Sequence, residues 1–135
     1  SLATDIDHRL KRTGHLTSKG RLYGAQFTAW LADDHWLDLG HQANGAAVAL
    51  RSAIDGLPGV RLAWPSQSNE SFVVIDRPLF GALLDAGVSM YEWYPNALPA
   101  GDELADDEVL ARLVTSFATS SDDIDAFVAA VRSLA

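Results

Sequence analysis

The chain has 135 residues, enough for one domain with a core of its own, and 48% of them are hydrophobic. It has no cysteine, which excludes disulfides and thiolate chemistry, and no apolar run long enough for a transmembrane helix. A formal charge of −8 argues against general nucleic-acid binding, which needs cations to replace the counter-ions of phosphates.

That charge is unevenly spread. Residues 1–21 hold Arg9, Lys11, Arg12, Lys19 and Arg21 against Asp5 and Asp7, whereas the rest of the chain holds five basic and sixteen acidic side chains. The basic start suits a phosphate or an acidic neighbour; it is equally the solvated face of a helix. Charges come early and no apolar h-region follows, so no signal peptide is expected. Together with the absence of cysteine this points to a cytoplasmic protein with no membrane partner.

In chain order, residues 3–14 read as a helix, with Leu2, Ile6 and Leu10 four apart, Thr4 or Asp5 as cap and Gly14 as stop. Thr17 or Ser18 is placed to cap a second helix, over roughly 18–33. Leu22, Ala25 and Ala29 lie on one side of it and Tyr23, Phe27, Trp30 and Leu31 on another. A helix apolar nearly all round is buried on more than one face, so this one is expected to contact another domain or subunit. A third helix is predicted over 34–54 from Trp36, Leu39, Ala43, Ala47, Leu50 and Ile54.

"GLPG", 56–59, is a turn. Strands follow at 60–65, stopped by Pro65, and at 71–76, then a short helix with Pro78 in its first turn and Gly87 at its end. A third strand is predicted at 88–95, an acidic solvated loop at 96–108, and a fourth strand at 109–117. The final helix opens on Ser120 and Asp123, spaced like a capping box, and carries the stripe Ile124, Phe127, Val128, Val131 and Leu134. The predicted class is α+β: N-terminal helices, then a small, mostly antiparallel sheet with helices on one face.

The sequence offers no P-loop, dinucleotide-binding glycine pattern or nucleophile elbow. His8, His15, His35 and His41 include no i, i+4 pair, and HExxH is absent, so no metal site is expected. Two features stand out. Lys19 and Arg21 sit in the first turn of the second helix, where free N–H groups already favour an anion; ordinary solvated charge is the competing reading. Arg112 shares a strand face with Leu110 and Val114. An arginine among apolar residues needs an anion, best a carboxylate held by two nitrogens. That carboxylate is either an Asp or Glu of this chain or part of a ligand.

Four stretches resemble the C-terminal part of low-specificity L-threonine aldolases, pyridoxal-phosphate (PLP) enzymes of the β-eliminating lyase group. They are "KRTGHLTSKGRLYGAQFTAWLADDHWL", "HQANGAAVALRSAIDGLPGVRLAWP", "SNESFVVI" and, the most specific, "RLVTSFATSSDDIDAFVAAV". The resemblance implies the small domain of the aspartate-aminotransferase fold type. It implies residues 1–57 as a helical segment linking to and packing on a large domain, and 58–135 as the small domain. It implies cleavage of L-threonine or L-allo-threonine to glycine and acetaldehyde, with Arg112 binding the substrate carboxylate and Lys19 and Arg21 approaching the cofactor phosphate. It also implies a homodimer or homotetramer.

These enzymes carry a lysine that binds PLP covalently, in a larger N-terminal domain. Only Lys11 and Lys19 are present here, and neither sits in a matching segment. The histidine that stacks on the cofactor and the aspartate that pairs with its pyridine nitrogen are also missing. The chain is therefore expected to be a fragment lacking the PLP-lysine domain, with no catalytic residue of its own, inactive alone and partnered by that domain in the same or a separate chain. Two other readings stay open: the small domain of another enzyme of the same fold type, such as an aminotransferase, or a non-enzymatic α+β ligand-binding module.

Overall fold

The structure is a computed structural model that describes residues 5–135. It divides into two compact units, one ending at Trp36 and the other Leu37–Ala135.

The first unit holds α1 (Ile6–Arg12) and α2 (Gly20–Leu31). Leu2 and Thr4, expected as the first apolar position and a cap of α1, lie outside the described residues. Asp5 occupies the cap position without a side-chain capping bond; its carboxylate accepts instead from Arg9 Nε at 3.1 Å. The chain leaves α1 through Thr13, whose hydroxyl donates to the Arg9 carbonyl at 2.8 Å, and Gly14. The expected caps of α2, Thr17 and Ser18, are not used: Lys19 stands at the N-cap, with no side-chain hydrogen bond. A 3-10 turn, Ala32–Asp34, ends α2. Asp33 and Asp34 both adopt positive φ, +52° and +58°, a region that short polar side chains tolerate better than branched ones.

The first helix of the second unit is α3 (His35–Ile54), all but its first two residues. Its other elements are β1 (Val60–Leu62), β2 (Glu70–Asp76), α4 (Arg77–Asp85), β3 (Tyr91–Glu92), a 3-10 turn at Pro95–Ala97, β4 (Glu108–Val114) and α5 (Ser121–Leu134). The sheet has the order β1-β2-β4-β3 and every pairing is antiparallel. The α+β class expected from the sequence is the class found.

Strand alternation sorts the side chains. Val73 and Ile75 of β2 and Val109, Ala111 and Leu113 of β4 join one apolar core with Leu50 and Ile54 of α3, Leu79, Phe80 and Leu83 of α4, and Ile124, Val128 and Val131 of α5. The helices therefore cover one face of the sheet. The other face carries Glu70, Phe72, Val74 and Asp76 of β2 opposite Val114, Arg112, Leu110 and Glu108 of β4. α5 begins with a full capping box: the Ser120 hydroxyl accepts from Asp123 N–H at 3.2 Å, and the Asp123 carboxylate accepts from Ser120 N–H at 2.8 Å.

The strand at 88–95 is shorter than expected, because both ends are diverted. Val88 N–H donates to the Leu83 carbonyl at 2.9 Å, closing α4, and Pro95, which has no N–H, starts a 3-10 turn. The strand at 109–117 likewise ends early: Thr115 N–H donates to Asn69, and Ser116 N–H to the Thr119 hydroxyl. Among the described residues, no helix is long and apolar enough to cross a membrane.

Candidate functional site

β4 is the central support of the open sheet face. At its fifth residue, Arg112, it is flanked by Phe72 of β2 and Tyr91 of β3. A guanidinium here cannot enter the core, because the alternate residues Ala111 and Leu113 take the core side. Arg112 instead lies across the open face, and its side chain keeps 30% of its exposure.

Its surroundings are aromatic and acidic. The guanidinium carbon is 4.3 Å from the centre of the Trp93 ring, a contact in which the ring's negative face attracts the cation. Trp93 meets Phe72 edge-on at 5.7 Å and Tyr94 at 5.4 Å, and Phe72 stacks on Trp64 at 4.5 Å. Nη1 of Arg112 donates to Glu70 Oε1 at 3.1 Å. Nε of Arg112 is buried and has no hydrogen-bond partner. An orphaned buried donor is uncommon in folded proteins, and this one belongs to the same guanidinium that holds Glu70 by a single nitrogen.

The chain around Glu70 is held by polar side chains. The Ser66 hydroxyl donates to the Glu70 carbonyl, and Glu70 N–H donates to the Ser68 hydroxyl at 3.3 Å. Arg51 of α3 donates to the Ser71 hydroxyl at 3.1 Å and the Ser68 carbonyl at 3.3 Å. Asn69 Nδ2 donates to the Thr115 carbonyl at 2.7 Å, while the buried Thr115 hydroxyl donates to the Ala43 carbonyl of α3 at 2.8 Å. The start of β2 and the end of β4 are thus tied to each other and to α3, and Glu70 and Arg112 sit in that tied region.

At the opposite end of the same face stands a second ion pair. Arg61 of β1 donates through Nε and Nη2 to the two carboxylate oxygens of Glu108, at 3.2 and 3.0 Å. The Glu108 carboxylate also accepts from Ala105 N–H at 2.9 Å. The Arg61 hydrogen bonds, then that backbone hydrogen bond, hold the Glu108 carboxyl below its ordinary value.

Lys19 and Arg21 lie at the N-terminus of α2, in the first unit, and both are exposed. Arg112 belongs to the second unit. Reading the sequence alone missed Glu70, which falls between the predicted strands at 60–65 and 71–76, and the aromatic set Trp64, Phe72, Trp93 and Tyr94. The available signal was a glutamate at the head of an apolar strand, but its partner depends on strand register.

No family model matches the chain. Two curated low-specificity L-threonine aldolases, from Pseudomonas sp. (strain NCIMB 10558) and Pseudomonas aeruginosa, are each 37% identical to it over 90 residues, which is 67% of this chain and 26% of each relative. A solved structure, the threonine aldolase of Leishmania major, superposes with a TM-score of 0.77 at 32% identity, over 95% of this chain and 34% of that one. This chain is a relative of the threonine aldolases. It spans about a quarter of the length of the curated threonine aldolases it matches. The fold extends further than the sequence likeness. A glycine decarboxylase (P-protein) of the glycine cleavage system matches with a TM-score of 0.60 at 19% identity, over 83% of this chain and 25% of that one. The serine palmitoyltransferase of Sphingomonas wittichii matches at 0.53 and 19%, over 69% and 23%. This threonine-aldolase relative has the α+β fold of the small domain of fold-type I PLP enzymes.

Proposed function

We propose that this chain is the small-domain part of a PLP-dependent L-threonine aldolase, which cleaves L-threonine or L-allo-threonine to glycine and acetaldehyde. The observation that carries the reading is Arg112: a guanidinium on the open sheet face, oriented by Trp93, with one nitrogen on Glu70 and another without a partner. Such a group is suited to an amino-acid carboxylate, which two nitrogens of one guanidinium grip in a fixed plane. In this reading residues 58–135 supply Arg112, and residues 1–57 link to and pack on a large PLP-lysine domain.

PLP, when bound, supplies the electron sink for carbon–carbon cleavage. Of this chain's residues, Lys19 and Arg21 fit its phosphate: both are exposed cations at the start of a twelve-residue helix, where backbone N–H groups and the helix dipole already favour an anion. Neither Lys19 nor Lys11 is assigned the covalent attachment. The chain's own contribution is to bind and orient the substrate: Arg112 fixes the carboxylate, and the ring of Trp93 keeps the guanidinium plane from rotating away. The exposed apolar side chains of α2, Tyr23, Phe27, Trp30 and Leu31, belong in this reading to a subunit interface, and the assembly is cytoplasmic.

The test is steady-state kinetics of the assembled enzyme with L-threonine, following acetaldehyde. Arg112→Ala should raise KM and lower kcat/KM while the absorbance of bound PLP is retained. Unchanged kinetics with a lowered melting temperature would make Arg112 a structural ion-pair partner and remove the ground for the reading.

A further inference from the structure

We propose that Glu70 is an internal counter-carboxylate for Arg112: it occupies the guanidinium until a ligand carboxylate displaces it, and so sets how tightly carboxylates bind at this site. The inference rests on the reading of Arg112 as a carboxylate-binding group and adds to it a residue that opposes binding.

The two ion pairs of the open face make the argument. Arg61 grips Glu108 with two nitrogens, and Ala105 N–H adds a third bond to the same carboxylate, whose side chain is only 19% exposed. That pair is built to stay closed. Arg112 holds Glu70 by one nitrogen only, 3.1 Å from one oxygen. The Glu70 side chain makes no other hydrogen bond among the described residues and is 39% exposed, so its carboxylate can turn to water at little cost.

Arg112 is the fixed partner. Its guanidinium rests on Trp93, which is itself braced by Phe72 and Tyr94. Glu70 is fixed in its backbone by Ser66 and Ser68, and only its side chain has room to leave. Register explains the reach: Glu70 pairs with Val114, two residues from Arg112, so the two side chains meet diagonally on one face. A carboxylate arriving at Arg112 therefore meets a guanidinium already oriented and half-neutralised, and must replace one like-charged group. Exchange of one carboxylate for another leaves no charge unpaired at Arg112, and the displaced Glu70 is hydrated.

The experiment is an NMR titration of the 135-residue chain, observing the Arg112 Nε–Hε resonance, assigned by its loss in Arg112→Lys. Benzoate, a carboxylate compatible with the aromatic neighbours, is the probe, and benzamide is its uncharged control. In Glu70→Gln the apparent Kd for benzoate should fall about two- to fivefold, the range expected when a partly exposed ion pair no longer competes, while the response to benzamide is unchanged. Glu70→Thr, which suits a strand, is the second variant and should show the same gain if Glu70→Gln does not fold. Equal or weaker benzoate binding in a folded variant overturns the role of Glu70 and leaves the reading of Arg112 standing. No response of Arg112 to benzoate in any of these proteins overturns both.

Discussion

Arg112 of β4 lies with its guanidinium carbon 4.3 Å from the ring centre of Trp93, a residue just beyond the end of β3. The contact fixes the plane of the one strand arginine that lies outside a two-pronged internal pair. Arg112→Ala in the assembled enzyme is expected to lower kcat/KM for L-threonine by about 2–4 kcal/mol, the scale for removing one side of a charged hydrogen-bonded pair. Arg112→Lys should recover part of that loss, since an ammonium lacks the forked geometry. Steady-state kinetics on both variants, with PLP absorbance as a check on cofactor retention, measure it.

Glu108 gives a pH dependence with a definite sign. Its carboxyl is held below its ordinary value of 4.5, first by Arg61 and then by Ala105 N–H. A group whose pKa is lower in the folded state stabilises the fold above its unfolded value, and that contribution disappears as pH falls through the folded one. Glu108→Gln should therefore be less stable than the parent at neutral pH, by about 1 kcal/mol or less because Arg61 is half exposed. The difference should close as the pH is lowered below 4.5. Thermal melts across that range read it directly; a constant difference would mean that the pair contributes through packing instead.

Gly59 and Gly56 provide a matched comparison. Both have positive φ, +68° and +76°, but a Cβ at Gly59 would lie 3.0 Å from Asp76 Oδ2 and from Leu79 Cδ2, whereas at Gly56 nothing lies within 4 Å. Gly59→Ala should cost about 1–3 kcal/mol, and Gly56→Ala the smaller part due to backbone strain alone. Chemical denaturation of the two variants separates steric conflict from conformational preference.

The apolar face of α2 predicts association. Phe27 packs at a tilt against Trp30 and Trp30 edge-on against Trp36, with centroids 6.3 and 6.5 Å apart, and Phe27 is 58% exposed. An exposed aromatic cluster of this kind is covered by a second surface in most stable proteins. Sedimentation of the 135-residue chain should show concentration-dependent self-association that Phe27→Glu reduces. A monomer at all concentrations would remove α2 from the proposed subunit interface.

Element type was readable from the sequence because periodicity records which face is buried. The stripe Ile124, Val128 and Val131 enters the core as its spacing requires, and the Ser120–Asp123 capping box forms. Strand ends were less readable. They depend on hydrogen bonds to residues far along the chain, as when Thr115 N–H is taken by Asn69. The site divides along the same line. Arg112 was conspicuous as a cation in an apolar strand, but Glu70 is 42 residues away and meets it only through the β2–β4 register. Trp93 follows Tyr91 by strand alternation and its N–H donates to the Leu110 carbonyl, but its place over the guanidinium depends on the β3–β4 register.

The order of the sheet has a consequence for how copies of this chain meet. Its two seven-residue strands, β2 and β4, are interior, while its borders are the three-residue β1 and the two-residue β3. Pro65 and Pro95 lie just past those borders and have no N–H to offer a neighbour. So little unpaired backbone is available that an added strand would find almost no ladder to extend. Crowded together, such molecules are steered away from fibril-like growth and toward contacts made by side chains.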